Sequence, residues 1–371
     1  MYPNQAKRFM HWGLNNYPRQ AIFLVGHSGI GKTMTPKQVA KENDTFYVRL
    51  NATGMDNTDL TGLPKITDDL TSWRPPAMLM PLAGNAKAIL IIDEINRVPT
   101  ETRHVLMQML DEREVGELKL GPNVLIVITA NPDDPGYQVD DLDIAFLRRC
   151  CVLSFEFHFD AFLQYAMSEY ESPIKGHEGQ RISARVLAAM QRNKTAFVKD
   201  IKNREKFENT PNPDNCVRCS EMEHAGLYEV GFKEEEIIQI LAGMVGSTLA
   251  TSMVKDLNDK LLSDYKKLID KLEPLPGSVP HPVQIDLLYY VWEDYGSDPN
   301  KYAKQIHHLF LQMNNDIKLL MVKLCHKFFN SSKTKVAFMP MKADWKKVCS
   351  EIALRSKGVN EDEIRDLLNS L

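Results

Sequence analysis

The sequence predicts an α/β fold that is built on a parallel sheet and followed by an all-α region. Three apolar runs, at residues 21–25, 88–94 and 124–129, have the length and the aliphatic or β-branched content of buried strands. Beyond about residue 150 the apolar positions recur at helical spacing instead. Open sheets of parallel strands bind ligands in the crevice at the carboxyl ends of the strands, so we look for functional residues there.

A glycine-rich loop follows the first apolar run directly. It reads GHSGIGKT and fits the phosphate-binding pattern GxxxxGKT. Its glycines allow a tight turn that aims backbone N–H groups at phosphate oxygens, Lys32 adds a positive charge, and Thr33 offers a hydroxyl to Mg²⁺. The residues predicted to contact a nucleotide triphosphate such as ATP are Gly26, His27, Ser28, Gly29, Ile30, Gly31, Lys32 and Thr33. Glycine-rich turns between a strand and a helix are common, so the loop alone is only an indication.

Two adjacent carboxylates end the second apolar run. The segment AILIIDE at residues 88–94 places Asp93 and Glu94 at the carboxyl end of a buried parallel strand. Alternation along a strand sends the two side chains in different directions. We therefore assign Asp93 to Mg²⁺ and Glu94 to an attacking water. The alternative is that both acids only solubilise the end of the strand.

One further polar residue is expected in the same crevice, and two adjacent arginines follow it in the chain. Asn131 follows the run at residues 124–129, a strand expected beside the acidic one, so its amide would lie in the same crevice. An ordinary Asn-Pro turn is the alternative for this position. Arg148 and Arg149 close a helix, where positive charge also favours the helix dipole.

These stretches resemble the AAA+ ATPases and, within them, the MoxR-like branch. The resemblance is dense over residues 20–150 and thin beyond. The first matching stretches after the glycine-rich loop, DLTGLP with WRPPAML at residues 59–79, look like the insert that marks this branch. The others are IIDEINR, VLMQMLDEREV with the hairpin GELKLGPN, ITANP, and LDIAFLRRC.

The resemblance implies roles for the site residues. Asn131 would be the first sensor of the γ-phosphate, and an arginine finger would reach the nucleotide of a neighbouring subunit. The family has an aromatic residue after the finger where this chain has Cys150, so Arg149 is the first choice and Arg148 the second. A second sensor arginine would come from the helical lid, where Arg218 fits the order of elements better than Arg185.

The resemblance also implies an assembly and a task. We expect a homo-oligomeric ring, in this family usually a hexamer, that hydrolyses ATP with Mg²⁺ to remodel a partner protein. MoxR-like proteins often act beside a partner with a von Willebrand A-type domain. Two other classes stay open: a nucleic-acid motor or restriction-type GTPase subunit, which shares this core, and a non-catalytic nucleotide-binding switch.

Composition narrows the setting. The chain has 371 residues, of which 43% are hydrophobic and 25% charged, enough for two domains and a core. Six cysteines form no disulfide framework and no apolar run is long enough to span a membrane, so we expect a cytoplasmic protein. A net charge of −4 indicates no broad attraction to nucleic acid.

We expect three parts along the chain. These are an α/β nucleotide-binding domain at residues 1–152, a helical lid at 153–272, and a helical extension at 273–371 that opens with a proline-rich connector at 273–284. Helical apolar patterns run over residues 232–254 and 301–329 in the two helical parts.

Pro36 conflicts with a regular helix after the glycine-rich loop. It falls just past the expected first turn, where a backbone N–H is normally bonded. We therefore expect a kink or a shortened first turn there.

Overall fold

A computed structural model of the chain describes residues 1–132, 142–168, 170, 181–198, 209–255, 259–276, 279–296, 298–330 and 338–355. The chain forms two compact units. The first runs from Met1 to Ala161 and includes Asn212–Asp214, and the second contains most of the remaining residues. The predicted boundaries after residues 152 and 272 stay predictions.

The first unit is built on a parallel sheet. Its described strands are β1 (Ala21–Val25), β2 (Phe46–Asn51), β3 (Leu63–Ile66), β4 (Thr71–Arg74), β5 (Ala88–Asp93), β6 (Glu114–Val115), β7 (Leu118–Lys119), β8 (Val124–Ala130) and β9 (Cys150–Ser154). Among the described strands, five form a sheet in the order β2-β5-β8-β1-β9, and every pairing in it is parallel. The predicted α/β fold is confirmed, and the strand at residues 124–130 does lie beside the acidic strand.

Both faces of the sheet are buried, which explains the unbroken apolar runs. Every residue of β5 and β8 is buried. Alternate side chains enter two different apolar clusters: Leu90 and Ile92 contribute to one, while Ile89 and Ile91 contribute to the other. In a strand that is covered on both faces, both sets of alternate side chains are apolar, so its sequence does not alternate between polar and apolar residues.

Helices of the first unit cover this sheet. They are α1 (Pro3–Asn16), α2 (Met34–Glu42), α3 (Asn57–Thr61), α4 (Thr100–Glu112) and α5 (Ile144–Leu147). The helix α2 begins one residue after the glycine-rich loop, so Pro36 is its third residue. Proline is tolerated in the first turn of a helix, where backbone N–H groups have no acceptor within the helix, and the expected kink stays a prediction.

Two hairpins connect elements of the first unit. The strands β3 and β4 pair in antiparallel fashion, as do β6 and β7. The backbone N–H of Trp73 on β4 donates to Glu117 Oε1 in the turn of the second hairpin, at 2.9 Å. The segment read from sequence as an insert is therefore a hairpin that is tied to its neighbour.

Within the described residues, the regular structure of the second unit is helical. Its helices are α6 (Phe159–Ser168, whose first residues belong to the first unit), α7 (Ala184–Arg192), α8 (Pro213–His224), α9 (Glu234–Val245), α10 (Ser247–Lys255), α11 (Asp259–Asp270), α12 (His281–Tyr295), α13 (Ala303–Gln312), α14 (Asn315–Asn330) and α15 (Lys342–Arg355). In the described part of the chain, we find no helix with the length and apolar character that crossing a membrane requires.

Local breaks divide the long helical patterns of the second unit. The pattern at residues 232–254 forms α9 and α10, separated at Gly246, whose φ of 78° ends the first helix. The pattern at residues 301–329 forms α13 and α14, with an extended Met313 between them. The proline-rich connector is shorter than predicted, because α12 already begins at His281 and accommodates a proline in its first turn.

Candidate functional site

The candidate site lies at the carboxyl ends of β1, β5 and β8 in the first unit. Residues 26–33 leave β1 and lead into α2. The Gly26 N–H donates to the Ala130 carbonyl at 3.1 Å, which ties the start of the loop to the end of β8. The glycine-rich loop and the acidic strand end therefore meet at one edge of the sheet, as predicted.

Two glycines of the loop are required for different physical reasons. A Cβ atom added to Gly26 would lie 2.2 Å from the Phe155 carbonyl oxygen, so any side chain there would collide with the backbone after β9. At Gly31 a Cβ would meet no atom within 4 Å, but its φ of +100° lies in the region that only glycine adopts freely. The loop conformation thus depends on close approach at its start and on backbone freedom near its end.

Lys32 is buried under the loop. Its Nζ donates to the carbonyls of Gly26 at 2.5 Å and His27 at 2.6 Å, and to Asn131 Oδ1 at 3.1 Å. Burial lowers its pKa to about 8, although the nearby carboxylates of Asp93 and Glu94 act in the opposite direction. The positive charge is thus held at the centre of the loop.

Asp93 is the most heavily bonded carboxylate of the site. Its Oδ1 accepts from Thr33 Oγ1 at 2.8 Å and from Thr129 Oγ1 at 2.5 Å, and its Oδ2 accepts from Arg49 Nε at 2.8 Å and Nη2 at 2.5 Å. Burial acts to raise the pKa of Asp93, but the hydrogen bonds from Thr129, Thr33 and Arg49 together lower it below its usual value. The carboxylate is therefore ionised and fixed in orientation.

Glu94 diverges from Asp93 because the backbone turns. The strand ends at Asp93, and Glu94 adopts a left-handed conformation with φ 56° and ψ 46° before a short 3-10 turn at Ile95–Arg97. Strand alternation was therefore the wrong reason for their different directions. The Glu94 N–H donates to Thr129 Oγ1 at 3.1 Å, and its carboxylate lies 3.5 Å from both Asn131 Nδ2 and Arg97 Nη1.

The left-handed backbone of Glu94 leads to a stability prediction. We expect Glu94→Gly to raise the free energy of unfolding by up to about 1 kcal/mol, because glycine removes the clash between Cβ and the backbone. Denaturant unfolding measures the change. Asp44, exposed and with a φ of 49°, provides the matched control Asp44→Gly, which should show a similar gain away from the site. A loss of stability in Glu94→Gly alone would contradict the prediction and show that contacts of the carboxylate outweigh the backbone strain.

Asn131 lies between the loop and Glu94. It is buried, its Oδ1 accepts from Lys32, and its Nδ2 faces Glu94. Its backbone carbonyl accepts from Asn96 Nδ2 at 2.8 Å, a contact that joins the end of β8 to the turn after β5. These bonds go beyond the ordinary Asn-Pro turn that the sequence left open.

Arg148 and Arg149 follow α5, as predicted, but they differ in their contacts. Arg149 Nε donates to Asp111 Oδ2 at 2.5 Å, and Nη1 donates to the Ala145 carbonyl. Arg148 is the C-cap residue of α5 and is exposed. Of the two guanidinium groups, that of Arg149 is already held within its own chain.

The two candidate second sensors lie in the second unit. Arg185 Nε lies 3.2 Å from Glu223 Oε1, Nη1 donates to the Met253 carbonyl at 3.3 Å, and the guanidinium lies 4.8 Å from the centre of the Tyr228 ring. These contacts give Arg185 a structural role within the helical unit. Arg218 is exposed on α8, and its role as a sensor stays a prediction.

Four residues of the site were not found from the sequence. Thr129 bridges the two acidic positions, Arg49 bonds to Asp93, Arg97 faces Glu94, and Asn96 holds the backbone of Asn131. Asn96 and Arg97 directly follow the acidic pair, so their position was a usable signal. Arg49 had no such signal, because it is 44 positions away from Asp93.

The residues of this site fit a nucleotide phosphate and a magnesium ion. The Thr33 hydroxyl and the Asp93 carboxylate are in contact, and such hard oxygen donors are the ligands that Mg²⁺ prefers. Lys32 places a positive charge under a glycine-rich turn at the start of α2, an arrangement that favours phosphate. Thr33 and Asp93 would hold the metal, and residues 26–33 would hold the phosphates.

Comparison with known proteins agrees with this geometry. Residues 21–150 match the family model described as an AAA domain of the dynein-related subfamily. No curated protein sequence matches the chain.

Solved structures that resemble the chain share little sequence with it. NtrX from Brucella abortus in complex with ADP is 14% identical over 85% of this chain and 68% of that one, with a TM-score of 0.39. The Thermotoga maritima RuvB Holliday junction branch migration motor is 13% identical over 80% of this chain and 87% of that one, with a TM-score of 0.32. PCH-2 from C. elegans is 14% identical over 70% of this chain and 69% of that one, with a TM-score of 0.31.

The family match covers four of the five strands of the parallel sheet, the first residue of β9, and the strand ends that carry the loop, the acidic pair and Asn131. Over residues 21–150, the chain is therefore similar to an AAA domain.

Proposed function

We propose that the chain is a Mg²⁺-dependent ATPase whose active sites form between subunits of a ring. The observation that carries this proposal is the contact between Thr33 and Asp93, with Lys32 and Glu94 beside it, where the chain leaves β1 and β5 on either side of β8. Binding alone needs the loop and its lysine. The ordered Glu94 and Asn131 have roles in hydrolysis that a binding switch does not use.

We call residues 26–33 together with Asp93 and Glu94 the cradle. Within it, Lys32, Thr33 and Asp93 act on the phosphate end of ATP. Lys32 turns its charge from the loop carbonyls and Asn131 toward phosphate oxygens, which offer it stronger charge-assisted bonds. Thr33 and Asp93 would hold Mg²⁺, and the metal would supply neutralisation of charge on the phosphate oxygens. Asp93 would hold the metal as an ionised carboxylate, since its hydrogen bonds lower its pKa.

Glu94 and Asn131 act on the attacking water. The Glu94 carboxylate accepts a hydrogen bond from the water, orients it and accepts its proton as the new bond to the γ-phosphorus forms and the bond from that phosphorus to the β–γ bridging oxygen breaks, which releases ADP. Asn131 lies within reach of both Lys32 and Glu94, so its amide links the phosphate side of the site to the water side. Asn96 keeps that amide in place through the backbone of Asn131.

The finger is proposed to come from the neighbouring subunit. A guanidinium that approaches the γ-phosphate stabilises the charge on the transferring group. Because Arg149 is bonded to Asp111, we favour Arg148 as the finger, which reverses the order of preference drawn from the sequence. We propose a hexamer, with Arg218 as the second sensor, on the basis of the family resemblance.

The task of the ring is proposed to be the remodelling of a partner protein complex. Support comes from the resemblance of the insert and hairpin segments to the MoxR-like branch, which also suggests a separate partner with a von Willebrand A-type domain. The tie between Trp73 and Glu117 would make the two hairpins move together. A cytoplasmic setting belongs to the same proposal.

One set of measurements tests the proposal against its rivals. Steady-state turnover of ATP and GTP would be measured with and without double-stranded DNA, and particles would be imaged by electron microscopy with a slowly hydrolysed ATP analogue. We expect ATP turnover without DNA and closed rings. A preference for GTP, or turnover that depends on DNA, would favour the motor or GTPase class, and nucleotide binding without any turnover would favour the switch.

The buried lysine predicts how ATP binding depends on pH. Burial lowers the pKa of Lys32 to about 8, so above that pH the free protein holds a neutral lysine. Phosphate favours the protonated form, and binding at higher pH must therefore take up a proton. The association constant for ADP should fall as the pH rises from 8 to 9.5, by up to about tenfold per pH unit.

Calorimetric titration of the protein with ADP at several pH values measures this effect. The matched variant is Lys32→Arg, whose side chain stays protonated throughout the range. Whatever its absolute affinity, this variant should lose the pH dependence. A native affinity that is constant from pH 7 to 9.5 would contradict the prediction.

A further inference from the structure

Arg49 is the cation that contacts the proposed metal ligand directly. It lies on β2, paired with Ile91 of β5, and its side chain reaches along the strand to Asp93. Both Nε and Nη2 bond to Oδ2, at 2.8 and 2.5 Å. Two bonds from one planar guanidinium that converge on the same oxygen make a more directional contact than a single lysine would.

The two oxygens of Asp93 serve different partners. Oδ1 accepts hydrogen bonds from the hydroxyls of Thr33 and Thr129, while Oδ2 accepts them from Arg49. The orientation of the carboxylate therefore does not depend on Arg49, because two hydroxyls and the paired strand β5 would still hold it. Arg49 instead supplies positive charge and occupies the second oxygen.

We propose that Arg49 competes with the divalent cation for Asp93 and thereby weakens metal binding at this site. A metal that binds Asp93, directly or through a bound water, has to share the carboxylate with the guanidinium that is already bonded to the carboxylate. It also enters against the positive charge of that group at short range. This inference rests on the proposed nucleotide function and adds a residue that tunes its requirement for metal.

Lys37 offers a control for charge without contact. Its ammonium lies 5.6 Å from the centre of the Tyr47 ring, and Asp93 and Arg49 both act on it electrostatically. Lys37→Gln therefore removes one positive charge from the same neighbourhood and leaves the bonds between Arg49 and Asp93 in place. Arg49→Gln removes the same charge together with those bonds.

The test measures binding of Mn²⁺ by electron paramagnetic resonance in the presence of saturating ADP. We expect half-saturation in Arg49→Gln at about tenfold lower Mn²⁺ than in the native chain, which corresponds to one charge-assisted hydrogen-bond contact. Lys37→Gln should shift half-saturation by less than about threefold, as expected for a charge acting through solvent. A half-saturation in Arg49→Gln that is equal to or higher than the native value would overturn the inference.

Two further results keep the inference separate from folding and from the proposed function. If Arg49→Gln does not fold, Arg49→Lys decides: it keeps a charge but lacks the paired bonds, so Mn²⁺ should bind more tightly than in the native chain, and equal or weaker binding overturns the inference. Failure of the native chain to bind Mn²⁺ with ADP would refute the proposed function itself. Native binding with an unshifted Arg49→Gln would refute only the role of Arg49.

Discussion

Glu94→Gln is expected to lower the turnover number for ATP by roughly 10²–10⁴-fold while leaving the affinity for ADP unchanged. Glutamine has the same shape and can keep the contacts of Glu94 with Thr129 and Asn131. It cannot accept the proton that the attacking water loses. The loss should therefore appear in kcat and be absent from nucleotide binding, which depends on residues 26–33 and Asp93.

Measurement of both quantities separates a chemical role from a structural one. Steady-state phosphate release gives kcat, and titration with ADP gives affinity. The matched control is Glu101→Gln, which changes an exposed carboxylate near the start of α4 and should leave both values unaltered. Equal turnover in the native chain and in Glu94→Gln would remove Glu94 from the mechanism.

Arg148→Ala is expected to lower turnover by about 10³–10⁵-fold, the range that a finger supplied by a neighbour contributes. Arg149→Ala should have a much smaller effect on kcat. Its bond to Asp111 joins two partly exposed side chains, and the loss of such a pair costs less than about 1 kcal/mol of stability. Turnover of both variants, together with their unfolding in denaturant, tests this assignment.

Mixed rings provide the sharper version of the experiment. Arg148→Ala subunits keep an intact cradle, and Glu94→Gln subunits keep an intact finger. Mixing the two inactive proteins should therefore restore turnover at interfaces where each supplies its intact half. Mixing Glu94→Gln with Lys32→Ala is the control, because both changes damage the cradle and no interface recovers.

The same mixing is done with Arg149→Ala in place of Arg148→Ala. The two mixtures with Glu94→Gln together distinguish three arrangements. Restored turnover only with Arg148→Ala supports a shared site and the proposed finger. Restored turnover only with Arg149→Ala would return the role to the residue first favoured by the sequence and would mean that its contact with Asp111 opens in the ring. No restoration in either mixture would contradict a site shared between subunits.

Much of the site was predictable because its parts are continuous in sequence. The glycine-rich loop carries its own geometric requirements, seen in the close approach at Gly26 and the positive φ at Gly31. The acidic strand was predicted from an apolar run without polar interruption, which is what burial on both faces requires. Where a segment specifies its own backbone, inspection of that segment is enough.

Predictions were weaker where distant residues or small irregularities decide the result. The divergence of Asp93 and Glu94 was expected from strand alternation, but a left-handed residue after the strand produces it. The proline-rich connector was expected to extend to residue 284, yet α12 begins at His281 because proline suits the first turn of a helix. Both errors concern the end of an element, where a single residue changes the direction of the chain.

The sequence by itself determined the parallel α/β architecture, the glycine-rich loop and the position of the acidic pair, because glycine placement and apolar periodicity act through local backbone geometry and burial. Only the tertiary structure decided which side chains bond to those groups. Arg49 meets Asp93, Asn96 holds Asn131, and Asp111 holds Arg149 because separate strands and helices are brought side by side. Contacts of this kind depend on the register and packing of elements 35 to 44 positions apart, and no local pattern encodes them.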